Sequence, residues 1–295
     1  MEKVEKLEEK FLNNIGKVLC ETVIPEIPLK ELAEIERSIQ KKFRSELWAP
    51  FIQALKEFKM INNGDKIAVA ISGGKDSLLL AKLFQELKRA SKTNFELVFI
   101  SMNPGFNEEN LRKLEKNLKH LNIPAKIYKD NVFKVAEKIA KDYPCYMCAK
   151  MRRGSLYSRA VEMGCNKLAL GHHFDDVVET TLMSMFYMAK FETMLPKLKA
   201  DNFDMELIRP LYYVEEQSIK KWIRVNGLSP MNCGCTVAAG KTSSKRRETK
   251  ELLALLEKTS PSIKKSIMQS AKNVNLEKIL AWKIKGEKFS YLDNI

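Results

Sequence analysis

No run of about 18 apolar residues occurs in the 295-residue sequence, so no membrane-crossing segment is expected. The first residues, Met1 to Lys10, mix Glu and Lys without an apolar stretch, so no secretory leader is expected either. Six cysteines are too few for a disulfide-built scaffold. With no export signal, the expected compartment is the reducing cytoplasm, where paired cysteines bind metal or do redox work. Internal repeats and low-complexity tracts are missing, and histidine is scarce, with three residues in all. What is plentiful is apolar residues, 45% of the chain, which excludes disorder as the main state.

Charge is also plentiful and one-sided. Lys and Arg number 51 against 37 Asp and Glu, a formal net charge of +14. Lys and Arg release counterions from phosphates, so a polyanionic partner is expected. Half of the excess lies in residues 241–295, with 13 basic against 6 acidic residues. A second concentration spans residues 111–153, with 12 basic against 4 acidic residues. The stretch Lys241 to Arg247 is basic and hydroxyl-rich, suited to RNA phosphates or simply to a solvated helix start.

The periodicity divides the chain into three parts. Residues 1–48 read as a polar helical extension broken at Pro25–Pro28. Residues 49–240 read as the main domain, in which strands alternate with helices, and residues 241–295 as a basic helical region. Lys66–Ile71 is a short β-rich run bounded by turns, as a buried parallel strand should be. Further strands are expected at Phe95–Met102, Ala125–Tyr128, Lys167–Leu170 and Glu206–Ile208. Helices are expected over 49–60, 107–120, 131–141, 177–188, 215–226 and 245–285, with another directly after Ser77. The alternation predicts an α/β fold around a doubly wound parallel sheet of five strands.

Between the first strand and its helix lies Ser72-Gly73-Gly74-Lys75-Asp76-Ser77. Two glycines allow close backbone approach, and the helix start presents N–H groups and a positive dipole end to an anion. Lys75 adds charge, and Ser72 and Ser77 add hydroxyl donors. Neither the Walker A spacing nor the dinucleotide Gly-x-Gly-x-x-Gly spacing is present. Two glycines could serve a tight turn alone, but Lys75, Asp76 and both serines exceed what a turn needs.

Cys145 and Cys148 form a Cys-x2-Cys pair, and Cys233 and Cys235 a Cys-x-Cys pair after 84 intervening residues. Such spacing suits a four-thiolate zinc site or an iron–sulfur cluster held by three of the four. Lys150, Arg152 and Arg153 follow the first pair and would favour thiolates there. Cys20 and Cys165 read as incidental or small buried residues.

The Ser72–Ser77 loop resembles the pyrophosphate-loop signature of the adenine-nucleotide α-hydrolase superfamily, whose members cut ATP between the α and β phosphates. Taken with Cys145-x2-Cys148, Arg152–Arg153–Gly154, Gly171–His172–His173 before Asp175–Asp176, Arg209–Pro210–Leu211 and Cys233, the sequence resembles the tRNA 2-thiocytidine synthetase family of tRNA thiolases from about Trp48 onward. The resemblance implies ATP, Mg²⁺ and a [4Fe–4S] cluster as cofactors, and tRNA and a sulfur donor (a cysteine desulfurase or sulfide) as partners. It assigns ATP to Ala70, Ser72, Gly73, Gly74, Lys75, Asp76, Ser77, Met102, Gly171 and Asp176. It assigns catalysis to Asp176, Arg152 and Asp76, and the cluster to Cys145, Cys148 and Cys233, with one iron open to hold sulfur. The second pair here is Cys-x-Cys where the family carries Cys-x2-Cys, which leaves Cys235 as an alternative third ligand or a cap on that iron. For Asp175, capping of the helix beginning near Val177 is the competing role. The implied reaction adenylates a pyrimidine carbonyl oxygen, that of cytidine C2, and replaces it with sulfur. The alternatives are a zinc-containing or cluster-free tRNA modifier of the uridine thiolase or lysidine synthetase type, or a non-catalytic zinc-stabilised RNA-binding protein. The extension suits helical packing or a homodimer contact.

Overall fold

The computed structural model describes residues 24, 25, 27–129, 144–231 and 244–294; for 144–150, 152, 244 and 294 it describes the backbone alone. The helix expected over 131–141, together with Cys20, Cys233, Cys235 and Lys241, lies outside the described residues.

The chain begins with helix α1 (Leu32–Gln40), a π-helical turn (Arg44–Trp48) and α2 (Ala49–Glu57). Strand β1 (Lys66–Ile71) and α3 (Lys75–Ala90) follow, then β2 (Glu96–Asn103), α4 (Glu108–His120) and β3 (Ala125–Lys129). Helix α5 (Pro144–Glu162), β4 (Lys167–Ala169), α6 (Phe174–Met188), β5 (Lys197–Lys199), β6 (Glu206–Ile208) and α7 (Glu216–Val225) complete the sheet and its cover. Helices α8 (Ser244–Thr259) and α9 (Ile263–Ser270) lead to a hairpin of β7 (Ala281–Ile284) and β8 (Glu287–Ser290).

The main sheet has six strands in the order β3-β2-β1-β4-β6-β5, one more than expected. Five are mutually parallel, and β5 pairs antiparallel with β6. The additional strand is Lys197–Leu198–Lys199, an edge strand too short and too polar to leave an alternating trace. The second correction concerns the C-terminus. The helix expected through residue 285 ends at Ser270, and a hairpin occupies 281–290. Lys285 and Gly286, at φ 52° and 89°, form the two-residue turn that right-twisted strands favour. Trp282 stacks on Phe289 across it, with ring centroids 5.9 Å apart.

Strand β1 is central and almost wholly buried, as its run of Ile, Ala and Val requires. Helix α3 buries every residue from Ser77 to Phe84 between the sheet and the N-terminal helices. Ile35, Ile39, Phe43 and Leu47 join Phe51, Leu79, Leu83 and Trp222 in one apolar cluster, so residues 32–48 share the core of the sheet domain. Each such fully buried side chain contributes roughly 1.5–3 kcal/mol. Strand order reverses between β1 and β4, and in open α/β sheets the crevice beyond the carboxyl ends of such strands is where ligands bind.

Candidate active site

The loop Ser72–Gly73–Gly74 occupies that crevice. Gly73 has φ +82°, and a β-carbon there would lie 2.4 Å from the Met231 sulfur, so both backbone angle and space call for glycine. The Met231 N–H donates to the Gly73 carbonyl at 2.9 Å. Ser77 Oγ donates to the Gly74 carbonyl at 2.9 Å and lies 3.2 Å from Ser72 Oγ, which fixes the loop from inside. No side chain caps the start of α3, whose first N–H groups therefore remain for an anion. Gly171 lies across from them. A β-carbon there would make ordinary contact, 3.4 Å from the backbone of Asp76 and Ser77. Packing alone tolerates a side chain at 171; glycine keeps the backbone of the helix start uncovered.

Charged groups surround the loop. Lys75 Nζ pairs with Asp76 Oδ2 at 3.0 Å and Glu216 Oε1 at 3.1 Å. Burial by itself would lower the lysine, but these carboxylates outweigh it and hold Lys75 above the usual lysine range. Burial likewise opposes the Glu216 carboxylate, yet Lys75, Lys250 and Lys220 hold it well below the usual range. Asp176 sits in the first turn of α6 in a capping box. It accepts from the His173 N–H at 3.0 Å, and its own N–H donates to His173 Nδ1 at 3.4 Å. Asp176 Oδ1 also meets Arg246 Nη2 at 2.5 Å, and Arg246 Nε donates to Glu179 Oε2 at 2.8 Å. Burial would raise Asp176, but His173 and Arg246 keep it ionised below its usual range. His173 Nε2 lies 3.5 Å from Asp176 Oδ2 and 3.9 Å from Asp76 Oδ1, so the two aspartates converge on one ring nitrogen. Asp76 Oδ1 is buried without a hydrogen-bond partner, as is His172 Nδ1. Burial pushes His172 down to about 4, so its ring is neutral near pH 7.

The remaining residues singled out by the sequence fall around this centre. Ala70 is the penultimate residue of β1, and Met102 is buried near the end of β2, its sulfur 3.8 Å from Ser155 Oγ on α5. Cys145 and Cys148 lie in the first turns of α5, and Arg152 further along it. That helix runs back to the start of β4, so its first turns are at the carboxyl edge of the sheet, the edge of the glycine loop. Asp175 points elsewhere: its Oδ2 accepts the Glu216 N–H at 2.7 Å at the start of α7, and its Oδ1 pairs with Lys264 at 2.9 Å. Cys165 is buried, and burial pushes its thiol up, as an inert core cysteine requires. Sequence reasoning missed Glu179, Glu216 and Lys250, and placed Arg246 on an RNA-facing stretch. The signal for Glu179 was available, since Asp176 and Glu179 at i, i+3 share one helix face.

The sequence profile of the PP-loop domain matches residues 45–231. The chain belongs to the PP-loop family. A tRNA-cytidine(32) 2-sulfurtransferase from Syntrophotalea carbinolica is 37% identical over 230 residues, 77% of this chain and 88% of the relative. One from Geotalea daltonii is 35% identical over 257 residues, 86% of this chain and all of the relative. Among solved structures, the U34-tRNA thiolase NcsA from Methanococcus maripaludis with its [4Fe-4S] cluster superposes with a TM-score of 0.62. It is 25% identical, with 76% of each chain covered. The PP-loop enzymes thus account for the loop at 72–77 and for the sheet that carries it.

Proposed function

We propose that this PP-loop enzyme is an ATP-dependent tRNA sulfurtransferase that adenylates the C2 carbonyl oxygen of a cytidine, position 32 by its relatives, and replaces that oxygen with sulfur. One observation supports the reading most. Met231, whose N–H bonds the Gly73 carbonyl of the nucleotide loop, and Arg246, which pairs with Asp176 and Glu179, bracket in sequence the segment bearing Cys233 and Cys235. The cysteines at 145 and 148 approach the same edge on α5.

The chemistry follows from leaving groups. A carbonyl oxygen leaves poorly, so it first attacks the α-phosphorus of ATP and pyrophosphate departs. The uncapped N–H groups at the start of α3 and the ammonium of Lys75 receive the charge that develops on pyrophosphate. Asp76 and Asp176, both within 3.9 Å of His173 Nε2, suit a Mg²⁺ shared with phosphate oxygens. The unpartnered Oδ1 of Asp76 fits that use. The adenylated carbon is then open to a sulfur nucleophile, and AMP leaves with the former carbonyl oxygen. Neutral His172 adds no positive charge beside the base.

The donor set Cys145, Cys148 and Cys233 is three thiolates with Cys-x2-Cys spacing, which fits a [4Fe–4S] cluster. When bound, such a cluster supplies a coordination point for the sulfur to be transferred. Lys150 and Arg152 follow the first two of these cysteines in sequence, and Arg152 or Lys150 would steady charge during displacement. The sulfur donor is proposed to be a cysteine desulfurase or sulfide, and the working state a cytoplasmic homodimer. No described helix is long and apolar enough to cross a membrane.

The test is Cys148→Ser in anaerobically purified protein. Iron and acid-labile sulfide should fall, 2-thiocytidine formation in tRNA should cease, and ATP affinity should stay within about twofold. Parental thiolation by the variant, or zinc in place of iron in the parent, would overturn the cluster assignment.

A further inference from the structure

Helix α8 lies beyond the matched PP-loop region, yet its first turns reach into the nucleotide site. Arg246 joins Asp176 and Glu179, and one turn on, Lys250 Nζ meets Glu216 Oε2 at 2.8 Å. Glu216 in turn holds Lys75. Four carboxylates (Asp76, Asp176, Glu179 and Glu216) therefore face Lys75, Arg246, Lys250 and Lys220. This balance cannot persist when MgATP arrives. A magnesium ion held by Asp76 and Asp176 would compete with the cations those carboxylates hold, and the triphosphate would bring acceptors for them.

The two bonds of Arg246 differ in what happens next. Glu179 is 5% exposed and bonds Nε, next to the stem of the side chain. Asp176 bonds Nη2, at the tip, and the guanidinium carries three further N–H donors. The tip can exchange partners while the stem stays anchored. We propose that Arg246 is a nucleotide-site residue, its guanidinium pivoting from Asp176 to the phosphate chain of MgATP while Glu179 keeps hold of Nε. Arginine suits this because a planar fork can hold a carboxylate and a phosphate oxygen together, which an ammonium does with difficulty. The proposal rests on the reading of residues 72–77 as the ATP loop. It moves Arg246 from the RNA-facing surface suggested by its neighbours Lys245 and Arg247 into the reaction centre.

The test measures pyrophosphate release from ATP with cytidine-bearing tRNA transcript, and transcript affinity, for Arg246→Gln, Arg246→Lys and Glu179→Gln. Arg246→Gln should lower kcat about 30- to 100-fold, change KM for ATP less than fivefold, and leave tRNA affinity within twofold. Arg246→Lys should recover less than a tenth of the lost rate, and Glu179→Gln should give a partial loss of kcat from a looser anchor. The proposal is overturned if Arg246→Gln loses thermal stability alone and keeps parental kcat, which makes the pairs structural. It is equally overturned if the variant loses tRNA affinity more than tenfold with normal kcat, which makes Arg246 an RNA contact. Lys75→Ala separates the two levels of inference. If its KM for ATP is unchanged the loop reading fails, whereas a parental Arg246→Gln beside a defective Lys75→Ala removes only the pivot.

Discussion

The two rims of the central sheet use the same kinds of side chain to opposite ends. At the amino rim, Lys167 Nζ is buried and bonded to Asp65 Oδ2 at 3.0 Å, Glu206 Oε2 at 3.0 Å and the Met60 carbonyl at 2.9 Å. Asp65 also accepts from the Asn62 N–H at 2.6 Å and Asn166 Nδ2 at 2.8 Å. This is glue that ties β4, β6 and the turn before β1 together. At the carboxyl rim the pairs are just as short, but four buried side-chain atoms there lack partners: Asp76 Oδ1, Ser101 Oγ, His172 Nδ1 and Arg209 Nε. Buried polar groups without partners are rare in a finished core; among the described residues four of the six lie at this rim, the others being Asn226 Oδ1 and Glu251 Oε1, so a ligand bound here would have most of them to complete.

The sharpest way to break this comparison is to remove one lysine from each rim. Lys167→Ala leaves the buried Asp65 without its countercharge and should cost about 3–5 kcal/mol, read as a lower denaturant midpoint. The molecules that stay folded should keep the parental KM for ATP. Lys75→Ala should weigh the other way. Its partner Glu216 retains Lys250 and Lys220 while the partly exposed Asp76 loses its countercharge, so the stability loss should be clearly smaller than that of Lys167→Ala, while ATP turnover falls at least about 100-fold. Equal loss of stability in both variants would erase the distinction between the rims.

A smaller effect is expected from pH. In the folded protein His172 is held at about 4 by burial, against about 6.5 in an unfolded chain. Between these values the unfolded chain binds the proton and the folded one does not. Stability should therefore be complete above about pH 6.5 and decline as pH falls toward 4, by at most about 3 kcal/mol. His172→Gln should flatten that limb in denaturant titrations at several pH values. An unchanged limb would show that His172 takes up its proton in the fold without penalty.

How much of this was readable in advance differs by feature. The glycine loop, β1 and the Gly171–Asp176 stretch were legible because their residues are contiguous and their spacing is short. The partners that complete the site were not. Arg246 meets Asp176 across 70 positions, and Lys250 meets Glu216 across 34, distances at which charge pairing leaves no periodic trace. Strand β5 was missed for another reason: three residues with lysine at both ends carry too little pattern for any periodicity. The hairpin turn at Lys285–Gly286 was signalled only by its glycine, within an otherwise charged run.

The smallest expected effect separates two neighbours in sequence. Asp175 and Asp176 are both acidic, both in the first turn of α6, and both paired to a cation from the C-terminal helices. Their surroundings differ. Asp175 accepts the Glu216 N–H and so caps α7, the helix that presents Glu216 to Lys75. Asn at position 175 keeps an acceptor for that N–H and gives up only the attraction to Lys264, itself partly exposed. Asp175→Asn should therefore cost about 0.5–1 kcal/mol and leave ATP turnover within about twofold. Asp176→Asn keeps the capping acceptor for the His173 N–H as well but gives up the pair with Arg246, so it should cost at least as much stability as Asp175→Asn, about 1 kcal/mol. It also removes a charge that shares His173 Nε2 with Asp76, and its ATP turnover should fall by an order of magnitude or more. If the two variants lost turnover equally, the carboxyl rim would be one undivided charge cluster, and the separate role given to Asp176 would go with it.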